Sequence, residues 1–317
     1  MKKQFVSIII PTYNSEKYLS RCLQSIREQN YPKSSYEILV IDGGSNDKTI
    51  AIAEKYKAKV LNNPYRNAES GKAIGINKAR GEIIALIDSD NELVQRNWLS
   101  QMVKPLLENK DIFGVESRWL VNKKDPLLNQ YFTLLQIADP LARRFHPKME
   151  IIDKGDYLIY KAKIRQTPVV GANGFLYRKK LISVIGFKDK FEEVNFVSKL
   201  IRGGFATYAK PKNVGIYHYY SLSIIDYVKK RIKIGRKFLQ RKKTKQDTWV
   251  DETRPIDFIK AVLYNISIIF PLIEAIKEYR RSKNKAWFWH PFFSFLTIII
   301  YCYTTLELFL NKFFNKK

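Results

Sequence analysis

The sequence predicts an α/β protein built on a doubly wound sheet, followed by a C-terminal region of a different kind. Through the first hundred residues, short apolar runs alternate with amphipathic segments, which is typical of β-α-β units. Polar residues follow several of these runs, at the strand ends where such sheets bind ligands. The last quarter instead combines clustered cations with long apolar stretches. We therefore expect an α/β domain over 1–220, a basic interfacial helix and linker over 221–253, and membrane-associated helices over 254–317.

The N-terminal elements follow from apolar periodicity and from the residues that break it. Residues 6–10 form an apolar run ended by Pro11, which predicts a buried parallel strand. Ser15 and Glu16 open a helix whose apolar positions share one face. By the same criteria, further strands are predicted at 36–41, 59–61 and 82–87, and further helices at 49–56 and 72–78.

The middle of the chain is less regular. A strand predicted at 169–177 is interrupted by Gly171, Asn173 and Gly174, which indicates close approach by a ligand or by other backbone. Residues 117–167 carry no interpretable motif. The other elements expected here are helices at 97–107 and 192–202 and strands at 112–117, 205–209 and 214–217.

Two carboxylates, Asp88 and Asp90, stand one residue apart at the end of the strand predicted at 82–87. They repel each other, and a divalent cation or a set of hydrogen-bond donors makes such a pair tolerable. Oxygen ligands suit Mg²⁺ or Mn²⁺, which usually keep a substrate phosphate among their ligands. The alternative is a solvated turn, since Asp and Ser favour turns.

The net charge is +26, and one dense group of cations lies in the C-terminal part of the chain. Cations crowded beside apolar segments indicate contact with anionic membrane lipids, whereas a nucleic-acid-binding protein more often spreads its charge over a folded face. A soluble basic surface is the alternative. Ten cations without an intervening acid are Lys229, Lys230, Arg231, Lys233, Arg236, Lys237, Arg241, Lys242, Lys243 and Lys245.

Apolar residues in the last hundred positions predict membrane-associated helices. Residues 224–239 carry an apolar stripe on a cationic background, as interfacial helices do. Residues 286–306 contain no formal charge over 21 positions, which as a helix equals about the 30 Å of a bilayer core. The start of the chain, with Met1 and two lysines before the first strand, predicts no secretory signal. The two cysteines, Cys22 and Cys302, indicate no disulfide framework, which predicts a cytoplasmic α/β domain.

Residues 256–276 predict an apolar helix that charged residues and a proline interrupt. Lys260 and Glu274 leave only about 20 Å of uncharged helix between them, and Pro271 weakens the pattern further. The favoured topology is a helical hairpin with both ends cytosolic, because the cations of 229–245 outnumber those of the loop after residue 276. A pair of helices lying shallowly in one leaflet is the alternative.

Four motifs in order give the sequence a family resemblance. They are SIIIPTYN at 7–14, VIDGGSNDKT at 40–49, GKAIGINKARG at 71–81 leading to DSD at 88–90, and FEEVNF at 191–196. Together they resemble the family 2 glycosyltransferases, over about the first 220 residues. The resemblance implies the GT-A fold, with a doubly wound mixed sheet, and the transfer of a sugar from a nucleotide-diphospho-sugar donor with inversion.

The resemblance also implies where the donor binds. Thr12, Tyr13 and Asp42 are expected to contact base and ribose, and a carboxylate is a good acceptor for such groups. The alternative for Asp42 is a turn closed on Ser45. Asp88 is expected to face the ribose or to pair with Lys72 or Arg80. The residues assigned to nucleotide-sugar binding are Pro11, Thr12, Tyr13, Asp42, Lys72 and Asp88.

In this family the last Asp of the DSD motif binds a divalent metal, Mg or Mn, so Asp90 is the expected ligand. The metal would offset charge on the leaving diphosphate. His218 matches a His that some relatives place near the metal, although a lone His is more often structural.

Glu193 aligns with the family's catalytic base, and a base must lie within about 3 Å of the hydroxyl that it deprotonates. This chain has Glu192 and Glu193 where Glu-Asp is usual, so either carboxylate is a candidate. The alternative is a pair of acids favoured by the helix dipole. The acceptor side is implied at Gly171, Asn173 and Gly174.

The sequence therefore predicts an inverting, metal-dependent glycosyltransferase at the cytosolic face of the cell membrane, acting on a lipid-linked or glycan acceptor. We expect one transfer per encounter, because one or two membrane helices are too few for a polymer channel. The first alternative is transfer to polyprenyl phosphate itself, as in dolichyl-phosphate mannose synthases. The second is a membrane-tethered nucleotide-sugar binder without turnover. Nucleic-acid binding ranks last, because it leaves the carboxylate motifs unexplained.

Overall fold

The computed structural model describes residues 4–243 and 253–314. The chain divides into two compact units. The sheet unit comprises Met1–Leu120 and Pro147–His218, and the helical unit comprises Val121–His146 and Tyr219–Lys317. The expected domains 1–220, 221–253 and 254–317 stay a prediction, because compactness does not test independent folding; Lys245 lies outside the described residues.

The sheet unit contains a nine-stranded sheet in the order β3-β2-β1-β4-β10-β6-β11-β9-β8 and a three-stranded sheet in the order β5-β12-β7. The strands are β1 (Val6–Thr12), β2 (Tyr36–Asp42), β3 (Lys59–Asn62), β4 (Ile83–Leu86), β5 (Asn91–Leu93), β6 (Ile112–Val115), β7 (Arg118–Trp119), β8 (Glu150–Asp153), β9 (Tyr157–Lys161), β10 (Phe175–Arg178), β11 (Thr207–Pro211) and β12 (Gly215–His218).

The large sheet is mixed. Strands β1 to β4 pair in parallel, whereas β10 runs antiparallel to both β4 and β6. This topology confirms the predicted doubly wound α/β architecture. Because Thr12 at the end of β1 pairs with Asp42 at the end of β2, the loops that follow both strands begin at one edge of the sheet.

The described helices are α1 (Glu16–Arg27), α2 (Thr49–Lys55), α3 (Ala68–Lys78), α4 (Trp98–Glu108), α5 (Leu127–Leu135), α6 (Pro140–Arg143), α7 (Lys179–Ile185), α8 (Glu193–Arg202), α9 (Ile224–Lys243), α10 (Pro255–Ile266), α11 (Ile269–Ser282) and α12 (His290–Phe314). A short 3-10 helix, Lys285–Trp289, leads into α12.

Both faces of the large sheet are buried. Ile8 and Ile10 of β1 pack into one apolar cluster, and Ile9 packs into the other. This alternation explains why the strand is a continuous apolar run. Gly75 brings α3 onto the second face, since a Cβ there would stand 2.4 Å from Ile9 Cγ2.

The predicted strand at 169–177 is wrong in its bounds, because β10 begins only at Phe175. Gly171, Asn173 and Gly174 all have positive φ angles of 117°, 53° and 82°. Such angles do not fit an extended strand. The small residues instead form a loop that enters β10.

The helix predicted over residues 256–276 is broken. Helices α10 and α11 meet at 77°, and Ile268 between them has a φ of 59°. Pro271 lies in the first turn of α11, where proline is well tolerated. In the described chain, one helical segment, Lys285–Asn311, is long and apolar enough to cross a membrane, and the bent pair would be a second only if it acted as one span.

Candidate active site

The first part of the site is the loop pair after β1 and β2. Thr12 Oγ1 donates to Asp42 Oδ1 over 3.0 Å, and the backbone N–H groups of Gly44 and Ser45 donate to Asp42 Oδ2 over 2.9 and 2.8 Å. The buried Asp42 therefore closes a turn, which is the alternative that the sequence leaves open for it. Nucleotide binding by Thr12 and Asp42 stays a prediction.

Tyr13 and Asn14 lie at the tip of the first loop. The backbone N–H of Asn14 donates to Ser45 Oγ over 2.8 Å, and its side-chain oxygen accepts from the N–H of Asn46 over 3.0 Å. These bonds tie the two loops together. The Tyr13 side chain is half exposed, whereas Pro11 is partly buried in β1. An exposed aromatic ring on a fixed loop is suited to stacking against a nucleobase.

The second part is a buried cation, Lys72, on α3. Asn67 caps this helix by accepting from the N–H of Ser70 over 2.8 Å. Lys72 Nζ forms an ion pair with the carboxylate of Glu193 and lies 3.6 Å from Asp88 Oδ1. The Lys72 side chain is 7% exposed. One ammonium group therefore joins the DSD motif to the start of α8.

Burial and mutual attraction shift the pKa values of Lys72 and Glu193. Burial raises the pKa of Glu193, and the Lys72 ammonium offsets only part of that rise. For Lys72, burial lowers the pKa, but the carboxylates of Asp88 and Glu193 outweigh it and raise the pKa overall. Lys72 is therefore charged at neutral pH, and Glu193 is a stronger base than an exposed glutamate.

The third part surrounds Asp90. Its Oδ1 lies 3.7 Å from His218 Nε2 and 3.3 Å from Asn91 Nδ2. His218 reaches this position because β12 pairs with β5, opposite Asn91. The His218 ring is 5% exposed and meets Trp119 edge-on, with 4.6 Å between centroids.

A divalent metal fits Asp90 and His218 chemically. A carboxylate oxygen and an imidazole nitrogen are both ligands for Mn²⁺. Adjacent ligands on such an ion lie about 3 Å apart, so a small rotation of Asp90 would bring the observed 3.7 Å gap into range. Among the described residues, no group of three or more His, Cys, Asp and Glu could hold a metal alone. Substrate oxygens and water would complete the coordination.

Glu192 and Glu193 face different partners. Glu192 is the residue before α8, and its Oε2 accepts from Asn195 Nδ2 over 2.7 Å. Glu193 is the first residue of α8 and pairs with Lys72. The two candidate bases are thus separated by their surroundings, and Glu193 is the one joined to the donor-side residues.

The predicted acceptor-side residues lie between these parts. A Cβ on Gly171 would stand 3.1 Å from Glu193 Cβ and 2.3 Å from Tyr177 Oη, so only glycine fits. Asn173 Oδ1 lies 3.3 Å from Asn91 Nδ2, next to Asp90. Gly174 donates its N–H to the carbonyl of Leu86 over 2.8 Å. The loop therefore connects the Glu193 and Asp90 sides.

The structure brings the sequence-predicted residues together at one edge of the large sheet. Ser89 Oγ lies 3.1 Å from Ser15 Oγ, which joins the DSD loop to the loop after β1. Sequence reasoning misses Asn91, Trp119 and Tyr177. Asn91 directly follows the DSD motif and was the only one with a local signal, an amide beside two carboxylates.

Comparison with known proteins shows the family to which the chain belongs. The family model described as "Glycosyl transferase family 2" matches residues 7–186, which is more than half of the chain. The chain therefore belongs to glycosyl transferase family 2, and it is a glycosyltransferase with the GT-A fold.

Two archaeal relatives are each 30% identical. The glycosyltransferase AglE of Haloferax volcanii matches over 149 residues, which are 44% of this chain and 49% of that protein. A dolichyl N-acetyl-alpha-D-glucosaminyl phosphate 3-beta-D-2,3-diacetamido-2,3-dideoxy-beta-D-glucuronosyltransferase of Methanococcus voltae matches over 259 residues, which are 73% of this chain and 72% of that protein. The chain thus spans about half of the first relative and most of the second.

A solved structure shares the fold. The mannosyltransferase PcManGT from Pyrobaculum calidifontis, in complex with GDP-Man and Mn²⁺, superposes with a TM-score of 0.60. The superposition covers 96% of this chain and 88% of that one at 16% sequence identity. At this identity the likeness shows the fold alone.

Proposed function

We propose that this chain transfers a sugar, with inversion, from a nucleotide-diphospho-sugar to a hydroxyl of a lipid-linked or glycan acceptor at the cytosolic face of the cell membrane. The observation that carries the proposal is the ion pair between Lys72 and Glu193, with Asp88 3.6 Å from the same ammonium. It places a basic carboxylate beside the motif expected to hold the donor.

Glu193 is the proposed base. The acceptor oxygen attacks the anomeric carbon, the bond from that carbon to the diphosphate oxygen breaks, and the acceptor proton passes to Glu193. Inversion requires the base and the leaving group to lie on opposite sides of the sugar. The loop of Gly171 to Gly174, between Glu193 and Asp90, is the proposed surface that the sugar and acceptor contact.

Asp90 and His218 are the proposed metal ligands, and Lys72, Asp88 and the Thr12–Tyr13 loop the proposed donor site. When bound, a divalent cation offsets charge on the leaving diphosphate. The Pyrobaculum mannosyltransferase of the same fold is in complex with Mn²⁺, which agrees with the proposed use of a divalent cation.

A lipid-linked acceptor is supported by two observations. The Methanococcus relative is named for action on a dolichyl-linked sugar phosphate. The helical unit exposes many large apolar side chains, including Ile269 at 66% and Phe309 at 65% exposure. A membrane-bound enzyme meets a membrane-bound acceptor at raised effective concentration.

The test is sugar transfer by membranes containing the chain. A panel of nucleotide sugars is first screened by thermal shift with and without Mn²⁺, and the stabilising donor is then assayed for transfer to extracted lipid acceptors. We expect metal-dependent transfer that Asp90→Ala abolishes at low Mn²⁺ and that excess Mn²⁺ partly restores. If the chain binds the donor but neither transfers its sugar nor hydrolyses it, the chain is instead a nucleotide-sugar binder.

One observation favours a second acceptor class, polyprenyl phosphate. The Glu193 carboxylate is held by Lys72, and an anionic phosphate acceptor needs no base. The double variant Glu192→Gln, Glu193→Gln separates the classes. Loss of transfer supports a hydroxyl acceptor, whereas near wild-type transfer assigns the phosphate.

A further inference from the structure

In the helical unit, the cationic helix α9 packs against the middle of helix α12. Four contacts define the alignment: Tyr227 Oη to Thr297 Oγ1 at 2.6 Å, Arg231 and Tyr301 on the same oxygen of Asp139, Gly235 against Thr304, and Arg236 on Glu307 at 2.6 Å. The difference in residue number stays near 70 throughout. The two helices are therefore parallel and in contact over about ten residues, or roughly 15 Å.

Because of this alignment, a membrane-spanning α12 would bring the lysines of α9 into the membrane. The midpoint of Lys285–Asn311 is near residue 298. An offset of 70 places Lys229, Lys230 and Lys233 beside residues 299, 300 and 303, within about 8 Å of that midpoint. Lys229 and Lys233 are exposed to the surroundings of the unit. Spanning would hold these ammonium groups near the bilayer centre, where cations are rare and costly.

Neither α10 nor α11 is long enough to span the membrane. The two helices contain 12 and 14 residues, or roughly 18 and 21 Å, against a hydrocarbon core of about 30 Å. The bend of 77° prevents them from acting as one straight rod. Their outer faces are nevertheless apolar, with Leu263 and Ile273 61% and 58% exposed.

Helix α12 itself is two-sided. Its inner face contains polar groups such as Ser294, Thr297 and Thr304, all buried within the helical unit. Its outer face carries a stripe at three- and four-residue spacing: Phe292, Phe295, Ile299, Tyr303, Leu306 and Phe309. One exposed apolar face beside a cationic helix is the pattern of a helix lying in the membrane interface.

We infer that the helical unit enters one leaflet only, with α10, α11 and α12 lying shallowly among the acyl chains and the α9 cations on anionic headgroups. The inference rests on the membrane association proposed above. Both ends of α12, and the α10–α11 pair, then stay on the same side of the membrane as the sheet unit. This topology replaces the cytosolic hairpin that the sequence favours with the alternative of helices lying shallowly in one leaflet.

Cysteine accessibility tests the inference. The background is the full chain with Cys302→Ser, in which Cys22 is buried. Single cysteines replace Ser282 after α11, Asn311 near the end of α12, and Lys154 on the surface of the sheet unit, all exposed positions. A membrane-impermeant maleimide is applied to intact cells and to permeabilised cells, with labelling after denaturation as the reference. Transfer activity of each variant is measured in parallel.

We expect all three cysteines to be protected in intact cells and labelled after permeabilisation. Labelling of Asn311→Cys but not Ser282→Cys in intact cells would show a spanning α12 and overturn the inference. The reverse pattern would show the hairpin and also overturn it. Recovery of an active chain in the soluble fraction would refute membrane insertion without affecting the transferase proposal, which the activity assay tests separately.

Discussion

Each unit of this molecule contains a buried ion pair, and the two pairs differ in how completely their acids are hydrogen-bonded. In the sheet unit, Lys72 pairs with Glu193 and lies near Asp88. In the helical unit, Arg231 donates to Asp139 Oδ2 over 3.1 Å and to Tyr220 Oη over 2.8 Å. Both cations are buried.

The difference lies in the acids. Asp139 also accepts from the N–H groups of Leu141 and Ala142, over 2.9 and 3.1 Å, and from the hydroxyl of Tyr301. Its lone pairs are occupied by groups that fix α6, α9 and α12. Glu193 accepts from the buried ammonium group of Lys72 on α3, beside the proposed donor site. A carboxylate bonded on every side holds a fold together, whereas one with fewer donors keeps a lone pair that can take a proton.

The substitution Glu193→Gln should have the largest effect, a loss of catalytic rate. The amide keeps the shape of the side chain but accepts no proton, so kcat/KM should fall about 10²- to 10⁴-fold. Initial rates with the assigned donor, and circular dichroism for folding, check this. Glu192→Gln is the matched control and should change the rate only slightly. Equal losses in the two variants would contradict the assignment of Glu193 alone.

The counterpart in the helical unit is Arg231→Met. It leaves the Asp139 carboxylate buried with its charge uncompensated, which costs about 3–5 kcal/mol. Thermal unfolding in detergent should show a clear fall in midpoint. Arg236→Met on the same helix removes a pair with Glu307 that solvent screens, and it should lower the midpoint far less.

Adding Asp139→Asn to Arg231→Met should restore part of the lost stability, because the buried charge is then removed. If Arg231→Met were as mild as Arg236→Met, the structural role given to the Asp139 network would be wrong.

The pH dependence separates the two pairs further. A base works deprotonated, so activity should fall as the pH decreases through the pKa of Glu193, which burial raises. The Lys72 ammonium opposes that rise. Lys72→Met should therefore move the acid limb of kcat/KM to higher pH, relative to its own plateau, and Lys72→Arg should leave it near the wild-type position. A limb that moves to lower pH in Lys72→Met would contradict the proposed pairing.

The sequence predicts the strands and strand ends that depend on neighbouring residues. The run from Val6 to Ile10 indicates a strand buried on both faces, and β1 is such a strand. The DSD motif indicates a strand end with clustered acids, and it follows β4. In each case, neighbouring residues alone contain the signal.

Long-range pairing is what the sequence does not contain. Lys72 and Glu193 are 121 residues apart, so no spacing rule predicts their contact. The same limit hides the approach of Trp119 to His218. It also hides the grouping of residues 121–146 with the C-terminal helices, because only packing decides it.

The smallest expected effect is that of Thr12→Val, at the turn closed by Asp42. Valine keeps the volume but removes the 3.0 Å bond to Asp42, which is worth about 1.5–3 kcal/mol because the acceptor is charged. If this turn shapes the donor site, the KM for the donor should rise several-fold while kcat changes little. Thr297→Val is the matched control in the helical unit, since it removes a buried hydroxyl bonded to Tyr227 over 2.6 Å. It should lower stability without changing the KM for the donor, and a shared KM effect would show that both variants act through general destabilisation.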